Sequence, residues 1–233
     1  LTSLFTHAAK IYDLPVNPCK KVKRMGNSDS RSLNFWTLDE YKQFIQTMEP
    51  GTRYYLMFEM LFWTGCRIGE LLAITKADIN FEKNQLSINK TYYRTGMQDI
   101  ITEPKTKQSY RTIEIPEFLK EEIKEFTDGH YGMPDTERLF PVVQEAVQHK
   151  MKRQIELAGV KKIRVHDLRH SHVAYLIEKG VEPLLIRDRL GHKDIRITLN
   201  TYGHLYPNQQ RKIANLLDDE NDSIGWGEKK DEC

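Results

Sequence analysis

The sequence contains no run of about 18 apolar residues, the length that crosses a bilayer as a helix. Its most apolar stretch, Tyr54 to Trp63, is interrupted by Glu59. No signal peptide is visible, and the chain starts at Leu1 rather than Met, from which a fragment or a processed chain is expected. Cysteine is scarce: Cys19, Cys66 and Cys233 are odd in number and far apart. That argues against a disulfide framework and against a cysteine-rich zinc site, and it fits a reducing cytoplasm. There is no internal repeat and no low-complexity block. An excess of either charge is also missing, the net being +2 over 233 residues.

What is present is a hydrophobic content of 39%, enough for a real core, and an uneven spread of charge. Residues 1–34 carry +4 and residues 217–233 carry −5, around a body of +3. A basic lead-in suits phosphate contacts, although a solvated linker has the same composition.

Residues 1–14 have Leu1, Leu4, Phe5, Ala8, Ile11 and Tyr12 at helical spacing, stopped by Pro15 and Pro18. A basic, turn-rich linker follows, with a domain boundary near 26–34. Thr37 and Glu40 form a capping box for a helix to about Met48. A strongly apolar helix is expected over Arg53–Trp63, ended by Thr64-Gly65, with a short helix over Arg67–Ile74. The period then changes. Alternation in Leu86-Ser-Ile88-Asn-Lys-Thr91-Tyr-Tyr93 and in Arg111-Thr-Ile113-Glu-Ile115, with a further strand near Ile100-Ile101 and a turn at Gly96, predicts one small antiparallel sheet. Helices are expected over 117–126, 141–158, 167–178, 183–190, 194–201 and 205–217, with Gly159, Gly180 and Gly191 as stops. Residues 219–233 read as disordered. The class is mostly α with a small antiparallel β-sheet.

Four segments carry chemistry-bearing residues: Thr64-Gly-Cys-Arg67-Ile-Gly-Glu70-Leu, Pro104-Lys105-Thr-Lys107, His166-Asp-Leu-Arg169-His170-Ser, and Leu190-Gly-His192-Lys. Tyr202 lies ten residues after His192. Each has an ordinary explanation in isolation. Most arginines are surface residues, and His166 and Arg169 at i,i+3 match a common surface pair. His192 fits a helix turn, Tyr202 a core aromatic and Lys105 a solvated charge. A zinc reading of His166 and His170, four apart, lacks the glutamate that metalloproteases carry after the first histidine, and no third ligand stands out.

Taken together and in this order, these residues resemble the tyrosine recombinase (phage integrase) family over about Trp36 to Leu217. Arg67 matches the family's first arginine in a Gly-x-Arg-x-x-Glu-Leu setting. His166 and Arg169 match the His-x-x-Arg box, His192 the Leu-Gly-His box, Lys105 the lysine of the β-hairpin, and Tyr202 the nucleophile. The wording of the boxes is most similar to integrases of phages and conjugative transposons of Gram-positive bacteria. The resemblance implies the family's DNA breaking-rejoining catalytic core over 35–217. Residues 1–25 would then be the end of an upstream core-binding helical domain with its linker, 26–34 linker, and 218–233 an acidic tail.

It further implies cleavage and rejoining of DNA through a covalent 3′-phosphotyrosyl link, with neither cofactor nor metal. Two arginine forks, Arg67 and Arg169, would grip the scissile phosphate where negative charge develops. His192 is expected to hydrogen-bond a non-bridging oxygen, and His166 to assist proton movement, accepting from Tyr202. Lys105 would protonate the leaving 5′-oxygen, with Lys107 as the alternative. Glu70 would steady Arg67, His170 would pack behind the site, and Tyr206 is the alternative nucleophile. The implied partners are double-stranded DNA at attachment sites, three further copies of the chain in a tetramer on DNA, and accessory DNA-bending or directionality proteins. The acidic tail, with Ile224 and Trp226, is expected to dock on a neighbouring protomer. No membrane partner is expected, and the place of action is the bacterial cytoplasm, at the nucleoid. The rival readings are a non-catalytic DNA-binding protein, for which 182–202 loosely supply a helix-turn-helix, a type IB-like topoisomerase, and a metallohydrolase.

Overall fold

The structure is a computed structural model that describes residues 1–21, 34–103, 110–130, 132, 134–205 and 210–223. Lys105, Lys107, Tyr206, Ile224 and Trp226 lie outside the described residues. The chain divides into two compact units, Leu1–Leu33 and Asn34–Cys233.

In the first unit, helix α1 (Thr2–Ile11) is followed by a turn at Pro18–Lys20. Asn17 ties the two together. Its amide donates to the Thr2 carbonyl (3.3 Å) and to Thr6 Oγ1 (2.9 Å), while its Oδ1 accepts the Cys19 N–H (2.9 Å).

In the second unit, α2 (Leu38–Ile45) starts at the expected capping box. The Thr37 hydroxyl accepts the Glu40 N–H and the Glu40 carboxylate accepts the Thr37 N–H. The centre is α3 (Arg53–Thr64), which buries residues on every side: Leu56, Met57, Phe58, Met60, Leu61 and Phe62 are all 1% exposed or less. A helix apolar all round belongs in the middle of a core. Its buried Glu59 is satisfied by the Tyr41 hydroxyl and the Trp63 indole, both at 2.7 Å. A left-handed Gly65 ends it, and α4 (Ile68–Leu71) follows at once.

The β region corrects the expectation of one sheet. Strands β1 (Ile79–Asn80), β2 (Gln85–Ile88) and β5 (Arg111–Glu114) form a three-stranded antiparallel sheet, ordered β1-β2-β5. Strands β3 (Thr91–Thr95) and β4 (Gln98–Thr102) form a separate hairpin. The run from Leu86 to Tyr93 is broken at Asn89-Lys90. Both of these side chains turn to Asp78, Asn89 Nδ2 at 2.9 Å and Lys90 Nζ at 2.7 Å from Oδ1, which takes them out of the ladder.

Helices α5 (Glu117–Asp128), α6 (Gln144–Ala158), α7 (Asp167–Glu178), α8 (Pro183–Leu190), α9 (Ile195–Tyr202) and α10 (Gln210–Ser223) complete the unit. The last departs from the sequence reading. Its described part starts at Gln210. It also continues through Ser223, so 219–223 are helical rather than disordered. Its last turn carries Glu220 and Asp222, whose charge opposes the helix dipole. Helix α6 begins at Gln144 rather than at 141, after an extended Val143 cap. Packing of α3 on α7, of α7 on α8, of α8 on both α9 and β5, and of α4 on β3 brings the chemistry-bearing segments to one place.

Candidate active site

Gly65 is where the site begins. Its φ of +65° suits glycine, and a Cβ there would sit 2.5 Å from the ring of buried His172. The tight turn leaves the Gly65 carbonyl free to accept Arg169 Nη1 at 2.8 Å. Two residues on, Arg67 caps α4. Its N–H and its Nη1 each donate to Glu70 at 2.8 Å.

Glu70 also holds a second cation. Arg111, on β5, donates Nη2 to Oε2 at 2.8 Å and Nη1 to Oε1 at 3.1 Å. Its Nε reaches the Arg189 carbonyl at 2.9 Å. Burial acts to raise the Glu70 pKa, but the bonds and charge of Arg111 and the charge of Arg67 outweigh it and bring it to about 2. Glu70 is therefore an anion fixed between two guanidiniums. The sequence reading saw its contact with Arg67 and missed Arg111. A signal existed, because Arg111 is in phase with the buried Ile113 and Ile115 on an alternating strand.

Arg169, on α7, is 3% exposed. Its Nη2 donates to the Leu190 carbonyl at 2.8 Å and lies 3.0 Å from His192 Nε2. Among the described residues it has no carboxylate within ion-pairing distance. Burial, then the like charge of Arg67, pull its pKa down.

His192 follows the left-handed Gly191 that ends α8. A guanidinium only donates, so Nε2 accepts, and the proton sits on Nδ1, 2.9 Å from the buried Thr198 hydroxyl. Burial first, then Arg169, Arg67 and Arg111, lower its pKa to about 4, so it is neutral at pH 7.

Tyr202 is the last residue of α9 and is 2% exposed. Burial raises its phenol to about 12, while Arg169 and Arg67 pull the other way. The hydroxyl lies 2.6 Å from His170 Nδ1. The family resemblance assigns that proton contact to His166 and packs His170 behind the site; here the ring beside the phenol is that of His170. A helix turn separates the two rings, and only the one at 170 faces α9. The His166 and His170 ring centroids stand 5.3 Å apart and edge to face. His166, at the start of α7, keeps its ring at the surface. Lost hydration there, then the charge of Arg169, lower its pKa.

Behind these groups, Arg189 locks the frame. It donates to the Trp63 carbonyl (2.9 Å), the Glu114 carbonyl (3.0 Å) and His172 Nε2 (3.1 Å). It thereby ties the end of α3, the end of β5 and α7 to α8. No sequence motif marked it. Two clefts flank the site. One of about 440 Å³ lies beside His166, with Lys152, Lys162 and Arg164 on its walls. The other, of about 490 Å³, lies beside His192, with Arg187 and Lys193.

Arg67, Arg169, His166, His192 and Tyr202 are thus gathered at one place, with Glu70, Arg111 and His170 added. Lys105 and Lys107 lie outside the described residues. The arrangement offers two arginine forks, neutral imidazoles and a phenol, which together suit an anion attacked by an oxygen nucleophile.

Residues 34–209 match the model of the phage integrase family. The chain is 32% identical to the ICEBs1 integrase of Bacillus subtilis (strain 168) over 94% of its own length and 65% of that protein's. It is 28% identical to a XerC-like tyrosine recombinase of Caldanaerobacter subterraneus, over 94% of its own length and 64% of the relative's. The chain therefore spans just under two-thirds of the curated relatives it matches. Among solved structures, it superposes on the Tn1549 transposon integrase in complex with a circular intermediate DNA with a TM-score of 0.75 at 21% identity, covering 94% of this chain and 76% of that one. It superposes on XerA recombinase with a TM-score of 0.61 at 21% identity, covering 89% and 71%.

Proposed function

The chain belongs to the phage integrase family, and from that premise we propose that it carries the catalytic centre of a site-specific DNA recombinase that integrates or excises a mobile element. Tyr202 attacks the scissile phosphorus and forms a 3′-phosphotyrosyl link. The 5′-hydroxyl leaves, and a partner strand's 5′-hydroxyl later reverses the step. Phosphodiester energy is kept in the protein–DNA bond, so no nucleotide is consumed.

The observation that carries this reading is Arg169: a buried cation with no carboxylate partner among the described residues, beside a second arginine that repels it. Burying a charge in this way is costly unless an anion completes the site. A phosphate does so, and two planar forks grip it bidentately. Glu70 fixes Arg67 without neutralising Arg169. The phenol lies in the field of both arginines, which favours its anionic form as it attacks. The clefts beside His166 and His192 each carry lysine side chains, Lys152 and Lys162 in one and Lys193 in the other, which suit contact with a DNA backbone. His192 and His166 serve the phosphate, and Lys105, or Lys107, protonates the leaving oxygen. Double-stranded attachment-site DNA, a tetramer on that DNA, accessory DNA-bending or directionality proteins, and action at the nucleoid in the bacterial cytoplasm belong to the same proposal. So does docking of the acidic tail on a neighbouring protomer.

The test uses the full-length protein and a nicked suicide substrate carrying its attachment site. Wild type should give a covalent protein–DNA adduct on a denaturing gel, and Tyr202→Phe should give none. Absence of an adduct on a substrate that wild type binds would return the chain to a DNA-binding role.

A further inference from the structure

Resting on the reading above, we infer that His170 is the group that takes the proton of the attacking tyrosine, a catalytic role beyond the arginine, lysine, histidine and tyrosine set that the sequence motifs mark. The argument begins with distance. His170 Nδ1 stands 2.6 Å from the Tyr202 hydroxyl, a short bond for a neutral pair. Tyr202 ends α9 and His170 sits one turn into α7, so two packed elements hold the contact. The ring centroids are 5.6 Å apart.

The tautomer follows from the other side of the ring. Nε2 faces the buried carboxylate of Asp167, with Oδ1 at 4.0 Å. The separation is too long for a hydrogen bond, but the carboxylate's field favours the proton on Nε2, which leaves the Nδ1 lone pair for the phenol. Asp167 is itself held as an anion by Arg164, whose Nη2 and N–H donate to it at 2.8 Å.

His170 must be neutral to accept. The groups bearing on it are His166, Asp167 and Arg169 on its own helix, Arg164 just before that helix, Tyr202 on α9, and His192 between α8 and α9. Burial, then His166, and after it Arg164 and Arg169, lower its pKa, and Asp167 alone resists them. The ring is therefore unprotonated at pH 7, while Asp167 stands ready to steady the imidazolium that forms.

The step balances. As the Oη–P bond forms, the phenol proton passes to His170 Nδ1. The P–O5′ bond breaks with its electron pair going to O5′, which takes a proton from the leaving-group acid, Lys105 or Lys107. Rejoining runs backwards. The lysine recovers its proton from the incoming 5′-hydroxyl, and Tyr202 recovers its own from His170. His166, exposed and at right angles to His170, is left free to serve the phosphate.

The experiment follows adduct formation by the full-length protein on two suicide substrates, one with an ordinary scissile phosphate and one with sulfur in place of the bridging 5′-oxygen. A thiolate leaves without a proton, so the second substrate isolates the nucleophile's side. His170→Asn keeps a hydrogen-bonding atom near the Nδ1 position but cannot hold the proton. It should slow adduct formation by about 10²–10⁴-fold on both substrates, with DNA affinity and melting temperature near wild type. Of Lys105→Ala and Lys107→Ala, the one that removes the leaving-group acid should be slow on oxygen and recover on sulfur. Wild-type speed in His170→Asn would overturn the assignment, since it would show that the contact only positions the phenol. So would a defect confined to the oxygen substrate. Should His170→Asn not fold, the wild-type rate on the sulfur substrate in light and heavy water decides. Slowing in heavy water supports a proton in flight from the phenol, and equal rates overturn it. Loss of the adduct in wild type, or its persistence in Tyr202→Phe, removes the functional reading itself and this inference with it.

Discussion

Helices α3 and α7 are each twelve residues long and pack against one another, yet they bury different chemistry. The α3 interior is Leu, Met and Phe, with Glu59 as its one buried charge, held by Tyr41 and Trp63. The α7 interior includes Asp167, Arg169, Ser171 and His172. Apolar burial stabilises in proportion to area and tolerates small shifts. Buried polar groups contribute only if each finds its partner, and Arg169 lacks a carboxylate among the described residues. One helix supplies a rigid floor, and the other uses that floor to hold groups that water would otherwise surround. Stability and reactivity are in this way divided between neighbours, and variants in each should separate the two.

The largest effect belongs to the floor. Phe58→Ala removes a ring that is 0% exposed and packs edge-on to Phe44 at 5.0 Å, and should cost about 3–5 kcal/mol in chemical denaturation. The fraction that stays folded should still form adducts at the wild-type rate. Next is the reactive helix. Arg169→Lys loses the planar fork and should slow adduct formation by about 10²–10³-fold, with the melting temperature changed far less than by Phe58→Ala. If the two variants behaved alike, the division of labour would be wrong.

Glu70, which holds Arg67 and Arg111 in place beside the two helices, has a pH signature. Its folded pKa of about 2 lies below its unfolded value, so its contribution is complete above about pH 4.5 and is lost as pH falls towards 2. That contribution is on the order of 3 kcal/mol. Glu70→Gln should therefore be less stable than wild type at pH 7, and the gap should close through that window in denaturation curves. An equal gap at pH 7 and pH 2 would contradict the ion-pair account. The smallest effect is spectroscopic. The His192 ring should titrate near pH 4 in the free protein and at higher pH once a DNA phosphate lies beside it, as followed by NMR of the ring. No movement on DNA binding would place the phosphate elsewhere.

Much of this arrangement is legible in the sequence. The Thr37 capping box, the α3 run, the ends of α7 and α8 and the glycine stops at 159 and 191 are local signals, and local physics decided them. The split sheet was not legible. Asn89 and Lys90 leave the ladder because of Asp78, more than ten residues away in sequence, and alternation carries no record of such a partner. Arg111 and Arg189 were missed for a related reason. A buried arginine is defined by the carbonyls and carboxylate around it, not by its neighbours in the chain. The exchange of His166 for His170 at the phenol depends on which face of α7 meets α9, and one turn of helix separates the two choices.

The most direct test of the central claim is to digest the covalent adduct formed by the wild-type full-length protein and find the residue that carries the nucleotide by mass spectrometry. The account predicts a phosphonucleotide on Tyr202. A label on Tyr206, or on any other residue, would contradict it and detach the chemistry from the Arg169–His170–Tyr202 geometry on which the account stands.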